Sequence, residues 1–187
     1  MNTATEKKAG LVTGVFSTRE AAEKAYDSLI AKGYQQDEIT VLMSDRTRDT
    51  HFSDNATDRH DDKHHDSNLG NKAMEGAGTG SAIGGTTGAI LGAIAAAGVS
   101  VALPGLGIVL AGPLAGALAG AGAGGLAGGI IGALVGSGIP KERAERYEKH
   151  IKDGSIIIGV TPRDENEALA IQKDWRSYQG EDIYYKG

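Results

Sequence analysis

Cysteine is absent from the 187-residue chain, which excludes disulfides, thiol nucleophiles and thiolate metal sites together. A basic excess is absent too. The formal net charge is −5, so no positive field points to nucleic acid as a partner. The opening "MNTATEKKAGLVTGVF" has no continuous apolar run followed by a small-residue cleavage site. It does not read as a secretory signal, and the charged parts are expected in the cytoplasm. The most telling absence is local. From Gly76 to Pro140, 65 residues contain no Asp, Glu, Lys or Arg, although charged residues make up 23% of the chain. That block also holds 21 of the 29 glycines. Outside it the composition is that of an ordinary globular protein.

The two charged ends carry a legible element pattern. "GLVTGVF" (10–16) is a β-branched strand, Ser17 with Glu20 has the spacing of a capping box, and Ala22, Ala25, Tyr26 and Leu29 recur at helical spacing. Gly33 is placed to stop that helix, and "ITVLMS" (39–44) is a second strand. Beyond the block, Pro140 opens a helix whose buried stripe is Ala144, Tyr147 and Ile151, stopped by Gly154. "SIIIGVT" (155–161) is a strand, and Asp164 with Glu167 repeats the capping pattern. Ala168, Ile171, Trp175 and Tyr178 form the next apolar stripe, Gly180 ends it, and "DIYYK" (182–186) closes the chain as a strand. Trp175 and Tyr178 are therefore core candidates. Tyr184 and Tyr185 should split between the two sheet faces.

The ends echo each other as strand, capped helix, glycine stop and strand. Two βαβ units of this size commonly share one sheet with helices on one face. The expected fold is thus α+β: a ferredoxin-like split βαβ domain interrupted by a long glycine-zipper α-helical hairpin. Its parts are the first βαβ half (1–44), an acidic, His-rich flexible linker (45–71), the hairpin (72–139), and a helix with the second βαβ half (140–187).

Within the block, glycines fall at 112, 116, 120, 124, 128, 132 and 136, in steps of four, after an earlier run at 76, 80, 84, 88 and 92. A step of four makes a ridge on a helix, whereas a strand would require a step of two. Leu114, Leu118, Leu126, Ile130 and Leu134 make a second row, offset by two residues, or roughly 200° around the helix. One side is smooth and the other bulky. Each glycine is worse than alanine in a helix by about 1 kcal/mol, a cost that close backbone approach between helices can offset. "LPGLG" (103–107) breaks the block, giving expected helices at 73–102 and 113–138, each long enough to cross a bilayer. The four-step row also drifts by about 40° per step around a straight helix, which favours several neighbours and so a homo-oligomer. The expected oligomerisation residues are Gly80, Gly84, Gly88, Gly92, Gly112, Gly116, Gly120, Gly124, Gly128, Gly132 and Gly136.

Length, lack of charge and an uncharged hairpin tip favour the lipid bilayer as a partner, with the α/β head cytoplasmic at the inner membrane. Against this stands a thin apolar payload, because Gly, Ala, Ser and Thr fill most of both segments. The alternative is a fully cytoplasmic homo-oligomer with the zippers as its core.

"LVTGVFSTREAAEKAYDSLIAKGYQQDEITVLMSD" with "RTRDTHF" resembles the N-terminal domain of bacterial general stress proteins of the heat-induced YflT type. "ALPGLGIVLAGPLAGALAG" and "GIPKERAERYEKHIKDGSIIIGV" are similar to glycine-zipper members of that broad group. The resemblance implies stress induction and a small α/β domain without an established enzymatic activity. It carries no catalytic residue over to this chain.

No other motif points to chemistry. His60, His64 and His65, with His51, lie among aspartates and are weak Zn or Ni candidates, the alternative being a solvated loop. Asp45, Arg46, Arg48 and Asp49 follow a strand end, where function often sits, but read equally as a solvated turn. Glu142/Glu145 and Glu165/Glu167 lack a nucleophile or His beside them. "GAGTGSAIGG" lacks the Gly-Lys-Ser/Thr ending of a phosphate loop. The expectation is a non-enzymatic protein with no cofactor, and the residues identify no small-molecule ligand.

Overall fold

The computed structural model describes residues 10–52, 107–120, 129–136 and 138–185. In chain order the elements are β1 (Val12–Phe16), α1 (Arg19–Ala31), a 3-10 turn (Gln36–Glu38), β2 (Ile39–Ser44) and α2 (Asp45–Phe52). Then come β3 (Ile108–Ala111), α3 (Pro113–Gly120), α4 (Gly129–Gly136) and α5 (Lys141–Lys152). The chain closes with β4 (Ile156–Val160), α6 (Glu165–Ser177) and β5 (Glu181–Tyr185). The architecture is α+β, with one five-stranded sheet in the order β3-β2-β4-β1-β5. Every pairing is antiparallel.

The helix starts and stops follow the sequence signals with small shifts. Thr18, not Ser17, caps α1, its side chain accepting from the Ala21 amide. Ser17 instead donates to Glu181 Oε1 at 3.2 Å. Asp164 caps α6 by accepting from the Glu167 amide at 2.8 Å, while the Glu167 carboxylate takes the Arg163 amide at 2.7 Å. Gly33 leaves α1 at φ +87°, a backbone conformation that costs glycine nothing. The α6 stop differs: Gln179, at φ +63°, makes the left-handed turn. Gly180 is required for another reason, since a Cβ there would lie 2.7 Å from the Trp175 carbonyl.

Both faces of the sheet are covered, which corrects the expectation of helices on one face only. The strands are apolar on both sides, and a bare second face would leave that surface in water. On the first face, Val12, Phe16, Ile39, Val41, Met43, Val109, Ile156, Ile158 and Val160 pack under α1 and α6 through Ala22, Tyr26, Leu29, Ala168, Ile171 and Trp175. Trp175 lies so close over Gly14 that a Cβ there would be 2.7 Å from Cε3 of the indole. On the second face, Val15, Leu42, Ile108, Leu110 and Ile157 pack under Leu114, Ala115, Leu134, Ile139, Ala144, Tyr147 and Ile151. Thr13 also points there and shares a hydrogen bond with the buried Tyr147 hydroxyl. Tyr185 packs against the first-face core, whereas Tyr184 lies beneath the α5 guanidinium of Arg143, 4.1 Å from ring centroid to Cζ.

Two parts of the linker and block depart from expectation. Residues 45–52 are not flexible linker but helix α2, with Thr47 and Phe52 buried. Ser44 starts it by accepting from the Thr47 amide at 3.0 Å. Nor is 113–138 one straight helix. In such a helix Gly120 and Gly129, the nearest residues of α3 and α4, would be about 13.5 Å apart at 1.5 Å per residue, yet Cα atoms of α3 and α4 approach within 8 Å. The two helices therefore do not continue one another along one axis.

Candidate functional site

The candidate site is the part of the uncharged block that the fold ties to the sheet. Residues 108–111, at the expected hairpin tip, form strand β3 instead. It pairs with β2 through Val41↔Ala111, Leu42↔Leu110, Met43↔Val109 and Ser44↔Ile108. All four β3 residues are at most 2% exposed. The Asp45 amide donates to the Gly107 carbonyl at 2.7 Å, so the strand begins where β2 ends. A remote, free tip is therefore ruled out: this segment is an edge of the head.

Gly112 turns β3 into α3. Its φ is +83°, and a Cβ there would lie 2.2 Å from the Ile39 carbonyl oxygen and 2.9 Å from Thr40 Cα. Gly112 belongs to the four-step glycine row, but its place within the chain accounts for it fully. Gly116 and Gly136 are different. Both are exposed, and a Cβ at either would meet nothing within 4 Å among the described residues. The bulky row turns the other way, with Leu114 and Leu134 buried at 9% and 2% exposure in the second-face core. Gly120 and Gly132 lie on α3 and α4. Gly80, Gly84, Gly88, Gly92, Gly124 and Gly128 lie outside the described residues, as do His60, His64 and His65.

Polar groups around the head serve to join elements. Arg143 Nη1 binds Asp182 Oδ1 at 2.7 Å, and Arg146 Nε approaches Asp182 Oδ2 at 3.5 Å. These contacts strap α5 to edge strand β5. Burial is the main force raising the Tyr147 phenol, opposed by its bonds to Thr13 and Arg143. Arg163 grips the α1 exit by donating to the Lys32 and Gly33 carbonyls at 3.1 and 3.0 Å, and it stacks over Tyr34 at 4.6 Å. Tyr34 in turn donates to Glu167 at 2.7 Å. Arg19 pairs with the buried Glu23 at 3.1 Å, donates to the His51 carbonyl and lies 4.8 Å over the Phe52 ring. It ties the end of α2 to α1. Desolvation raises the Glu23 carboxyl above its ordinary value despite Arg19.

Asp45, Arg46, Arg48 and Asp49 form the first turns of α2, where Arg48 pairs with Asp49 at 2.9 Å and approaches Asp45 at 3.7 Å. A shallow polar cleft of about 330 Å³ lies between the start of α1 and the end of α6, lined by Thr18, Glu20, Lys24, Ser177, Tyr178 and Gln179. Its two charged residues, Lys24 and Glu20, are paired with each other at 2.6 Å. Among the described residues, no three His, Asp or Glu are grouped to hold a metal ion. Among the same residues, no helix is long and apolar enough to cross a membrane. Comparison with protein-family models, with curated proteins and with solved structures finds no match to this chain.

Proposed function

We propose that this chain is a non-catalytic self-association module of the bacterial general stress response. Its α/β head carries glycine-rich helices that pack against those of other copies. The observation that carries the reading is the orientation of the two rows. Leu114 and Leu134 are spent on the head's own core, while Gly116 and Gly136 face outward. A helical glycine loses about 1 kcal/mol against alanine. Among the described residues nothing sits close enough to these two to explain them, and in this reading the compensating close approach is to a helix of another copy.

The head is, in this reading, a ferredoxin-like split βαβ domain with β3 added at its edge. Support comes from the interleaved order β2-β4-β1-β5, in which β1-α1-β2 and β4-α6-β5 each step over one strand of the other unit. The stress assignment rests on the sequence resemblance alone.

The test uses light scattering on the purified full chain. Gly116→Leu and Gly136→Leu have room among the described residues and should fold normally while reducing the assembled mass. Unchanged mass in the double variant would refute the reading.

A further inference from the structure

We infer that β5 is an exchangeable strand, supplied to the outer edge of β1 by a second copy of this chain. The inference starts from a comparison of helix exits within the head. Helices α1, α4, α5 and α6 are each followed by the same pair of closing hydrogen bonds. After α1, the Gly33 and Tyr34 amides donate to the Ile30 and Leu29 carbonyls at 2.9 and 3.1 Å. After α4, Gly138 and Ile139 donate to Val135 and Leu134 at 2.9 and 3.0 Å. After α5, Gly154 and Ser155 donate to Ile151 and His150 at 3.1 and 2.9 Å. After α6, Gln179 and Gly180 donate to Arg176 and Trp175 at 3.3 and 2.8 Å. The first residue of each pair is left-handed, with φ +87°, +86° and +94° at the three glycines. At the fourth exit a side chain occupies that position, in Gln179 at φ +63°. An L-residue is strained in that conformation and glycine is not. Of the four exits, the one into β5 therefore gains by straightening.

That exit leads to the most weakly held strand. Every residue of β1, β3 and β4 is buried, and none of β5 is. β5 is outermost beyond β1 and pairs with it at Val12↔Tyr185, Thr13↔Tyr184 and Val15↔Glu181, with a register shift between Thr13 and Val15. On its other side β1 makes five regular pairs with β4. The β1 edge does not tolerate being left empty. Val12 and Val15 are fully buried, and Ile183 and Tyr185 pack on the first-face core. Losing β5 without replacement would put that apolar surface and a row of ladder groups into water.

A replacement must match the site, and β5 of another copy does. The register shift holds Asp182 at φ +43°, where its carboxylate and carbonyl accept from Arg143 Nη1 at 2.7 and 3.3 Å. Arg143 also lies over the Tyr184 ring, and Glu181 accepts from Ser17 at 3.2 Å. These contacts require a bulge, two acids and an aromatic at fixed positions, which an unrelated strand does not present. An exchanged β5 remakes all of them between copies while two Gln179 hinges relax, opposed by the entropy of association. Short hinges under strain favour such exchange. It draws on nothing in the glycine side of α3 and α4.

The test uses the full-length Ser17→Cys/Glu181→Cys double variant. Its thiols replace an exposed pair that joins the β1 exit to β5, and no native cysteine competes. The purified protein, before and after refolding at raised concentration, is treated with a short bis-maleimide and run on a denaturing gel. The expected result is an interchain dimer band beside the intrachain product. Gln179→Gly relieves the closed exit and should lower the interchain share by about fivefold or more. Gln179→Pro, with φ fixed at about −65°, should raise it. Intrachain bridging alone overturns the inference, as does an interchain share that Gln179→Gly leaves unchanged. Adding Gly116→Leu and Gly136→Leu separates this interface from the one proposed above. Interchain bridging that persists in that background supports the exchange whatever the assembled mass, and its loss there assigns the band to the glycine side and overturns the exchange.

Discussion

Replacing Gly112 by alanine should damage the head itself, and the size of the effect follows from the backbone around it. At φ +83° an L-residue carries about 1–2 kcal/mol of strain. The new Cβ would lie 2.2 Å from the Ile39 carbonyl oxygen and 2.8 Å from its carbon. Both are backbone atoms of β2 and cannot rotate away, so β2 and β3 must separate, an overpacking cost of about 1–3 kcal/mol. The expected loss is about 2–5 kcal/mol. It is bounded above by detachment of β3, which would return Ile108, Val109 and Leu110 to water at about 1.5–3 kcal/mol each. Urea unfolding followed by fluorescence of Trp175, the only tryptophan and fully buried, reads this directly. With a slope of about 2 kcal/mol per molar, the midpoint should fall by about 1–2.5 M. Gly116→Ala is the internal control: with nothing within 4 Å of its Cβ among the described residues, it should not show the loss within the head expected at Gly112. A Gly112→Ala midpoint equal to the wild type would refute the placement of β3 and its turn.

Other variants probe the remaining joints. Tyr147→Phe strands the buried Thr13 hydroxyl and should cost about 1–3 kcal/mol. Thr13→Val combined with it should cost clearly less than the two singles together, and strict additivity in denaturation would remove that hydrogen bond from the account. Gly14→Ala drives a methyl against the rigid Trp175 ring and should destabilise by about 1–3 kcal/mol, with a shifted Trp emission in the native state; an unchanged spectrum and midpoint would contradict that packing. Because Glu23 has its carboxyl raised in the folded state, its contribution to stability is fully present below its ordinary value and is lost as pH rises through the raised one. Glu23→Gln should flatten that fall when denaturation midpoints are compared from pH 4 to 7, and an identical pH profile would argue against the effect.

Much of the head was legible because local signals agreed there. The cap at Asp164, the stop at Gly33 and the helical stripe ending in Trp175 each carry a stereochemical reason that needs no distant partner, while the cap of α1 falls one residue later than expected, on Thr18 and not Ser17. Helix α2 was missed because "DRTRDTHF" is polar on nearly every side. Its start signal was present in Ser44, whose hydroxyl caps Thr47. Coverage of the second sheet face was also readable, since "ITVLMS" and "SIIIGV" are apolar at successive positions, the mark of strands buried on both sides. Strand β3 was not readable. "IVLA" is too short for its periodicity to separate strand from helix, and its pairing partner lies more than sixty residues earlier in the chain. Gly112 sat in register with a helical glycine row while serving a strand-to-helix turn, so spacing alone assigned it the wrong role. Of the expected association residues, Gly116 and Gly136 keep the outward position that the offset between the glycine and leucine rows implies.

The central claim is that the glycine side of α3 and α4 is where copies meet. In this cysteine-free chain, Gly116→Cys and Gly136→Cys place a thiol on that side, and Leu169→Cys places one on α6 across the sheet. After mild oxidation of the purified protein, the account predicts disulfide-linked dimers from Gly116→Cys or Gly136→Cys well above the yield from Leu169→Cys. Equal yields from all three, or linkage through Leu169→Cys alone, would contradict it.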